Sequence, residues 1–106
     1  MMDDALLSRA LSWDDARTLL DESVDFFPDE ESPDAVTLKV VSVTRNTRSR
    51  ERRQFAIVFR GPPAPVHAQR TYRFRHARLG DYAIFITPIA QTPEGTDYEA
   101  CFSHAA

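Results

Sequence analysis

Arginine is the residue type with the clearest chemical potential in this chain, and its distribution along the sequence is uneven. Nine arginines crowd into one loop and one strand-like stretch. They are Arg45, Arg48, Arg50, Arg52, Arg53, Arg70, Arg73, Arg75 and Arg78. A guanidinium pairs bidentately with carboxylates and phosphates, and it stacks on flat rings. These arginines are therefore the candidate partner-binding residues, whether the partner is a protein or a nucleic acid.

Residue types that serve catalysis or metal binding do not form a recognisable pattern. His67, His76 and His104 lack metal-ligand spacing with one another or with Cys101. We interpret His76 as a structural residue that bonds the backbone at a strand end, and Cys101 as a small, semi-buried hydrophobic residue. The chain has three glycines and carries no phosphate-binding or nucleophile motif. The sequence therefore predicts no catalytic, cofactor or metal site, and no enzyme.

Size and composition predict a single folded domain over residues 1–106. A chain of 106 residues with 42% hydrophobic residues can bury a core. It has no apolar run of the ~18 residues that cross a membrane, and its acidic start is unlike a secretory signal. A single cysteine suits a reducing compartment. We expect a cytoplasmic protein that does not associate with membranes.

Charge divides the chain into two unequal parts. Residues 1–35 carry eleven acids and two bases, whereas residues 36–106 carry five acids and eleven bases, and the formal net charge is −3. One interpretation is internal complementarity, with the acidic end lying beside a basic sheet. The other is two surfaces for two partners, or head-to-tail self-association.

Local signals predict one helix near the N-terminus, over residues 12–21. Ser12 is a good N-cap, because its hydroxyl can accept a hydrogen bond from the N–H of Asp15. Leu11 before the cap can pack on Ala16. Residues 1–11 are expected to form a flexible or helical arm.

About six short strands are predicted after the helix, as a β-sheet core over residues 24–103. Alternating apolar and polar residues place them at 24–27, 35–44, 55–59, 72–76, 81–87 and 97–102. A basic hairpin loop at 46–53 and a proline-rich loop at 61–69 separate strands. The expected fold class is mostly β (α+β), with an N-terminal helix followed by antiparallel strands. Apolar residues on both faces of some strands favour a rolled sheet, a small barrel or a sandwich.

Alternation also assigns side chains to the two faces of the sheet. The aromatic residues predicted to fill the core are Phe55, Phe59, Tyr72, Phe74, Phe85, Tyr98 and Phe102. If Tyr72 and Phe74 point inward, Arg73 and Arg75 point to the opposite face. The arginines would then have no aromatic neighbour on which a base could stack, and this weighs against nucleic-acid binding.

Much of the chain resembles an uncharacterised family of short bacterial domains, catalogued as a domain of unknown function. The resemblance rests on S-W-D-D-A-R-T-L-L at 12–20, F-A-I-V-F-R-G-P-P at 55–63, Gln69 before T-Y-R, His76 with L-G at 79–80, I-F-I-T-P-I at 84–89 and Y-E-A-C-F at 98–102. It covers about residues 11–103. The chain departs from the family at Asp21, where a glycine is usual, and in the loop at 45–53, which is longer and more basic.

The resemblance implies a context but no activity. Members of the family are often encoded beside tail-collar-like proteins related to phage tail fibres, which implies an accessory or structural role in such assemblies. Our leading hypothesis is a non-catalytic structural or protein-interaction domain of a bacterial multiprotein assembly, with a protein partner. The alternative is a small β-barrel that binds nucleic acid through the arginine-rich loop and strand.

Overall fold

A computed structural model of the chain describes residues 4–46 and 52–105. Two short helices come first, α1 and α2, and α2 continues into a single 3₁₀ turn at Arg17–Leu19. Strands β1 to β6 follow. The helices span Asp4–Ser8 and Trp13–Ala16, and the strands span Ser23–Phe27, Val36–Asn46, Arg52–Gly61, Arg70–His76, Gly80–Thr92 and Gly95–Ala105.

The six strands in the described part of the chain close into an antiparallel barrel with the order β1-β2-β3-β6-β5-β4. Strand β1 completes the circle, because it pairs with β2 on one side and with β4 on the other. Phe26 lies opposite Val36 in the first pairing and opposite Phe74 in the second. The predicted mostly-β fold is confirmed, and among the three expected layouts the structure is a barrel.

The barrel interior is filled by the inward-facing residue of each alternate position. Phe26 is fully buried at its centre, with its ring 5.3 Å from that of Tyr72 and 5.6 Å from that of Phe74. The expectation that Phe85 lies in the core is wrong, since its side chain is 52% exposed. Its neighbours Ile84 and Ile86 are buried, as is Tyr82 earlier on β5, so alternation turns Phe85 outward.

The proline-rich loop lies across one end of the barrel. The N–H of His67 donates to the Tyr98 hydroxyl at 2.9 Å, and the Tyr72 hydroxyl donates to the carbonyl of Ala68 at 2.6 Å. The His67 ring meets Phe26 edge-on at 5.0 Å, and burial lowers the pKa of this imidazole. Two tyrosine hydroxyls from the interior thus hold the loop in place.

The N-terminal helical segment packs against the opposite end. Ser12 caps α2, with its hydroxyl accepting from the N–H of Asp15 at 3.1 Å. Leu11, Ala16 and Leu19 are buried in the same core as the strands. The ring of Trp13 lies 5.7 Å from that of Phe55 on β3. The segment therefore belongs to the folded unit.

Arg9 fixes the segment before α2 to β5. Its guanidinium donates to the carbonyls of Leu79 and Asp81 at 2.6 and 2.9 Å, and it lies 4.0 Å from the centre of the Tyr82 ring. Strand β5 pairs with β4 from Gly80 to Ile86 and with β6 only from Thr87 onward. Arg9 supplies donors near the point where β5 begins.

Asp21 makes the turn between the helical segment and β1. It has a φ of 67°, in the left-handed region that favours glycine, and its N–H donates to the carbonyl of Val40 at 2.9 Å. The N–H of Val40 in turn donates to the carbonyl of Glu22 at 2.9 Å. This backbone geometry is one that glycine adopts without steric cost, whereas aspartate carries a Cβ there.

We predict that Asp21→Gly stabilises the fold by about 0.5–1 kcal/mol, because glycine adopts a positive φ without the steric cost of a Cβ. Equilibrium denaturation in urea measures the change. Asp34→Gly is the matched control, since Asp34 is an exposed loop aspartate that is not among the residues with positive φ. A loss of stability in Asp21→Gly equal to that of the control would contradict this account.

Candidate functional site

The structure separates the candidate arginines into groups. Arg45 lies near the end of β2, and the backbones of Arg52 and Arg53 pair with β6 at the start of β3. Arg48 and Arg50 lie outside the described residues, as does the tip of the predicted basic loop. The remaining four candidates lie on β4 or in the turn after it: Arg70, Arg73 and Arg75 are on the strand, and Arg78 is in the turn.

The outer face of β4 carries an aromatic ring among its arginines. Phe27 on β1 lies opposite Arg73 in the ladder, and the two side chains share the outer face. The guanidiniums of Arg73 and Arg75 lie 4.0 and 5.6 Å from the centre of the Phe27 ring. The adjacent strand therefore supplies an aromatic ring on the same face as the arginines, where the sequence led us to expect none. Phe27 is itself buried, with 5% of its surface exposed, so it offers no open ring on which a base could stack.

Asp81 on β5 orients the same two arginines. Arg75 donates from Nε and Nη2 to the two carboxylate oxygens at 2.8 and 3.2 Å, and Arg73 donates from Nη1 at 3.2 Å. These contacts, the hydrogen bonds from Arg75 above all, hold the pKa of the Asp81 carboxyl below its ordinary value. Both guanidiniums are thereby fixed above Phe27 before any partner arrives.

A cleft of about 490 Å³ opens beside this face. It lies between the turn that follows β1 and the first residues of β4, and its lining is Phe27–Glu31 and Arg70–Arg73. Arg70 spans part of it, donating to the carbonyl of Pro28 at 2.9 Å with its guanidinium 4.7 Å from the Tyr72 ring centre. On the next strand, the exposed Phe85 pairs with Thr71. We call one continuous surface the β4 face. It consists of Arg70, which borders the cleft at the first position of β4, and of the outward-facing residues Phe27, Thr71, Arg73, Arg75 and Phe85.

Arg78 belongs to a different cluster, at the end of β4. The Nε2 atom of His76 lies 2.6 Å from a carboxylate oxygen of Glu22, and Arg78 contacts the same carboxylate at 3.3 Å. The Nδ1 atom of His76 accepts from the N–H groups of Arg78 and Leu79 at 3.2 and 3.1 Å. This tautomer makes His76 the cap of the β4–β5 turn, as the sequence suggested.

Cys101 is exposed on the outer face of β6. The expectation of a semi-buried residue is wrong, because Ala100 and not Cys101 takes the buried position of the strand. Desolvation, together with the Glu99 carboxylate, raises the pKa of the thiol. A raised pKa keeps the sulfur protonated and weakly nucleophilic.

Within residues 4–46 and 52–105, no three His, Cys, Asp or Glu side chains gather in a way that could hold a metal ion. No helix in the same part of the chain has the length and apolar character needed to cross a membrane.

Residues 11–102 match the family model described as "Domain of unknown function (DUF6916)". The chain belongs to this family. Comparison with curated proteins and with solved structures found no match. The match confirms the predicted domain-of-unknown-function family, and it extends over the barrel strands that carry the β4 face.

In this DUF6916 domain, the residues that sequence reasoning missed are those that orient the arginines. In the sequence, Asp81 and Glu22 stand out only as charges, and the predicted strand over residues 24–27 leaves the face of Phe27 unassigned. The sequence does contain a signal for the outward direction of Phe27. Phe26 and Phe27 are consecutive strand residues and must face opposite sides of the sheet, so one of the two rings has to point outward. Pairing of Glu22 with Arg78 depends on tertiary structure and leaves no local signal.

Glu22 should make stability depend on pH. The hydrogen bond from His76, with a further contribution from Arg78, lowers the pKa of this carboxyl from 4.5. Its ionised form therefore stabilises the fold above that value, and the contribution is lost as pH falls through the lower folded-state pKa. Glu22→Gln is expected to lower the melting temperature at about pH 7, and the difference from wild type should shrink as pH falls toward about 3.

Thermal melts at several pH values test this expectation. Glu94→Gln, at an exposed carboxylate in the β5–β6 turn, is the control and should show a small, pH-independent difference. A Glu22→Gln deficit that stays constant down to the lowest pH would show that the charge of Glu22 is not what matters.

Proposed function

We propose that this chain is a non-catalytic protein-interaction domain, and that the β4 face is its contact surface. The observation that supports this proposal is the arrangement of Arg73 and Arg75, which Asp81 fixes above the ring of Phe27 beside an open cleft. Arginine and aromatic residues dominate binding energy in protein interfaces. Side chains that are already oriented lose little conformational entropy on binding.

The exposed Phe85 adds an apolar element to this surface. Its side chain is 52% exposed and lies beside Thr71. An apolar side chain next to ordered arginines resembles the composition of an interface centre, where aromatic residues and arginine are enriched. The β4 face thus combines cations, the buried ring of Phe27 beneath them and the exposed ring of Phe85 on one side of the barrel.

The setting that we propose is a bacterial multiprotein assembly in the cytoplasm, of a kind related to phage tails. This part of the proposal rests on the family resemblance and on the sequence, whereas the contact surface rests on the geometry. In such an assembly the barrel would act as a rigid adaptor, with its partner bound on the β4 face.

We predict that changing the β4 face removes the partner. The tagged protein, purified from its native host, should recover a stoichiometric protein partner. Arg70→Ser combined with Phe85→Ser should reduce that recovery by about tenfold or more, equivalent to ~1.4 kcal/mol of binding free energy. Quantitative mass spectrometry of the purified material measures the change.

The matched control combines Arg17→Ser with Leu7→Ser. Arg17 is exposed on the helical segment, and Leu7 is 52% exposed, the same fraction as Phe85. The control should retain the partner at the wild-type level. Equal losses from both double variants would refute the proposal. So would a wild type that recovers at stoichiometric level neither another protein nor an untagged copy of this chain.

Nucleic-acid binding is the second candidate function, favoured by one contact at the other end of the barrel. The guanidinium of Arg45 lies 5.1 Å from the centre of the Trp13 ring, at the point where the chain enters the basic loop. Aromatic and cationic groups that lie together are common in surfaces that bind single strands.

This candidate predicts binding that depends steeply on salt. A random single-stranded oligonucleotide should bind at about 50 mM salt, and its affinity should fall strongly by about 200 mM. The reason is that arginines bound to phosphates displace counterions from the nucleic acid, and added salt opposes that release. Fluorescence anisotropy measures both affinities, and Arg45→Ser should reduce binding whereas Arg17→Ser should not. Absence of binding at the lower salt concentration would remove this candidate.

A further inference from the structure

The cleft beside the β4 face has walls of opposite charge. Asp29, Glu30 and Glu31 lie on the turn that forms one wall, and Arg70 and Arg73 lie on the other. A partner of uniformly negative charge would be attracted by the arginines and repelled by the turn. A uniformly basic partner would be attracted by the acidic turn and repelled by the arginines. The surface therefore selects a partner that presents both signs side by side.

Both arginines retain hydrogen-bond donors for such a partner. A guanidinium has five N–H groups. Within the described residues, Arg70 uses Nη2 to bond the Pro28 carbonyl, and Arg73 uses Nη1 to bond Asp81. Their other donors make no hydrogen bond in the part of the chain that the structure describes. A carboxylate that entered the cleft could therefore form charge-assisted hydrogen bonds without breaking the existing ones.

Glu31 on the opposite wall provides a carboxylate of the type that the donors of Arg70 and Arg73 could bind. It is exposed, and in the described residues only its backbone N–H is hydrogen-bonded, to the Asp29 carboxylate at 3.0 Å. That bond orders the turn and leaves the Glu31 carboxylate facing solvent. The turn is bordered by Pro28 and Pro33, which restrict its backbone.

We propose that the partner of this surface is a second copy of the chain, related by a two-fold axis. Rotation about an axis between the turn and β4 places the acidic turn of each copy over the arginines of the other. Each interface then contains two identical contacts of Glu31 with Arg70 and Arg73, as a two-fold interface requires. The cleft selects a partner with acids and arginines side by side, and the cleft region of a second copy presents that pattern.

Phe85 gives the same arrangement an apolar component. It is exposed beside Thr71 on the strand next to the arginines, so a copy that covers the cleft also covers part of this ring. Removing an exposed aromatic ring from water on both copies adds hydrophobic stabilisation to the charge pairing. The inference rests on the proposed function, because it names the partner of the same β4 face.

Sedimentation equilibrium of the purified chain, at concentrations up to about 500 µM, tests the proposal. The wild type should form a dimer whose dissociation constant rises with salt, since exposed charge pairs are screened. Glu31→Arg makes both walls positive, and Arg70→Glu brings an acid to both walls. Each single variant should therefore weaken the dimer by about tenfold or more.

The decisive sample is an equimolar mixture of Glu31→Arg and Arg70→Glu. In a mixed dimer, the arginine introduced into one chain would face the glutamate introduced into the other. At the second contact, the native Arg70 of the first chain would face the native Glu31 of the second, so both contacts regain opposite charges. The mixture should dimerise at least as tightly as the wild type. Controls with the same charge changes elsewhere, Glu94→Arg and Arg17→Glu, should leave the dimer unchanged.

Three outcomes would overturn the inference: a wild type that remains monomeric, controls that weaken the dimer as much as the cleft variants, or a mixture no tighter than the single variants. Failure here is distinct from failure of the proposed function. If the wild type is monomeric but Arg70→Ser with Phe85→Ser still loses a protein from the native host, the β4 face binds a different partner.

Discussion

Closure of the barrel depends on β1, the shortest strand in the described structure, with five residues. It pairs with β2 along one edge and with β4 along the other, so it joins the two ends of what would otherwise be an open sheet. Without it, the edges of β2 and β4 would present unpaired backbone groups to water and to other chains. The consecutive pair Phe26 and Phe27 shows how much this strand contributes. One ring fills the interior, and the other lies under the arginines outside.

The acidic residues of the N-terminal part of the chain have two different environments in the structure. Part of the uneven charge distribution is internal complementarity, because Glu22 from the acidic segment pairs with Arg78 and His76 from the basic one. The Glu22–Arg78 pair is exposed and contributes little to stability by itself. The contact of Glu22 with the buried His76 is the part expected to stabilise the fold. Another part of the acidity, at the turn after β1, lies on the surface next to the arginines of the cleft.

The fold was largely predictable because alternation and turn residues are local signals. The capping of α2 by Ser12 and the inward direction of Tyr72 and Phe74 follow from neighbouring residues alone. Strand ends were predicted too short, since pairing between strands extends order beyond the alternating core, as in β5, which continues to Thr92. The site was less predictable. Asp81 acquires its role from two arginines on a different strand, and no local pattern encodes that pairing.

The closing role of β1 also determines when the barrel can form during synthesis. Asp25 pairs with Arg75, and Arg9 donates to the carbonyls of Leu79 and Asp81. The N-terminal residues of these contacts are synthesised first, so the contacts can form only after residues 75–81 have been made. A ribosome releases the chain gradually, and pairing between distant segments must await the second of the two. Until β4 has left the exit tunnel, β1 has only β2 as a neighbour and Phe26 has no Phe74 to pack against. Strand β6 pairs with both β3 and β5, so the barrel is completed only after this last strand has also been made.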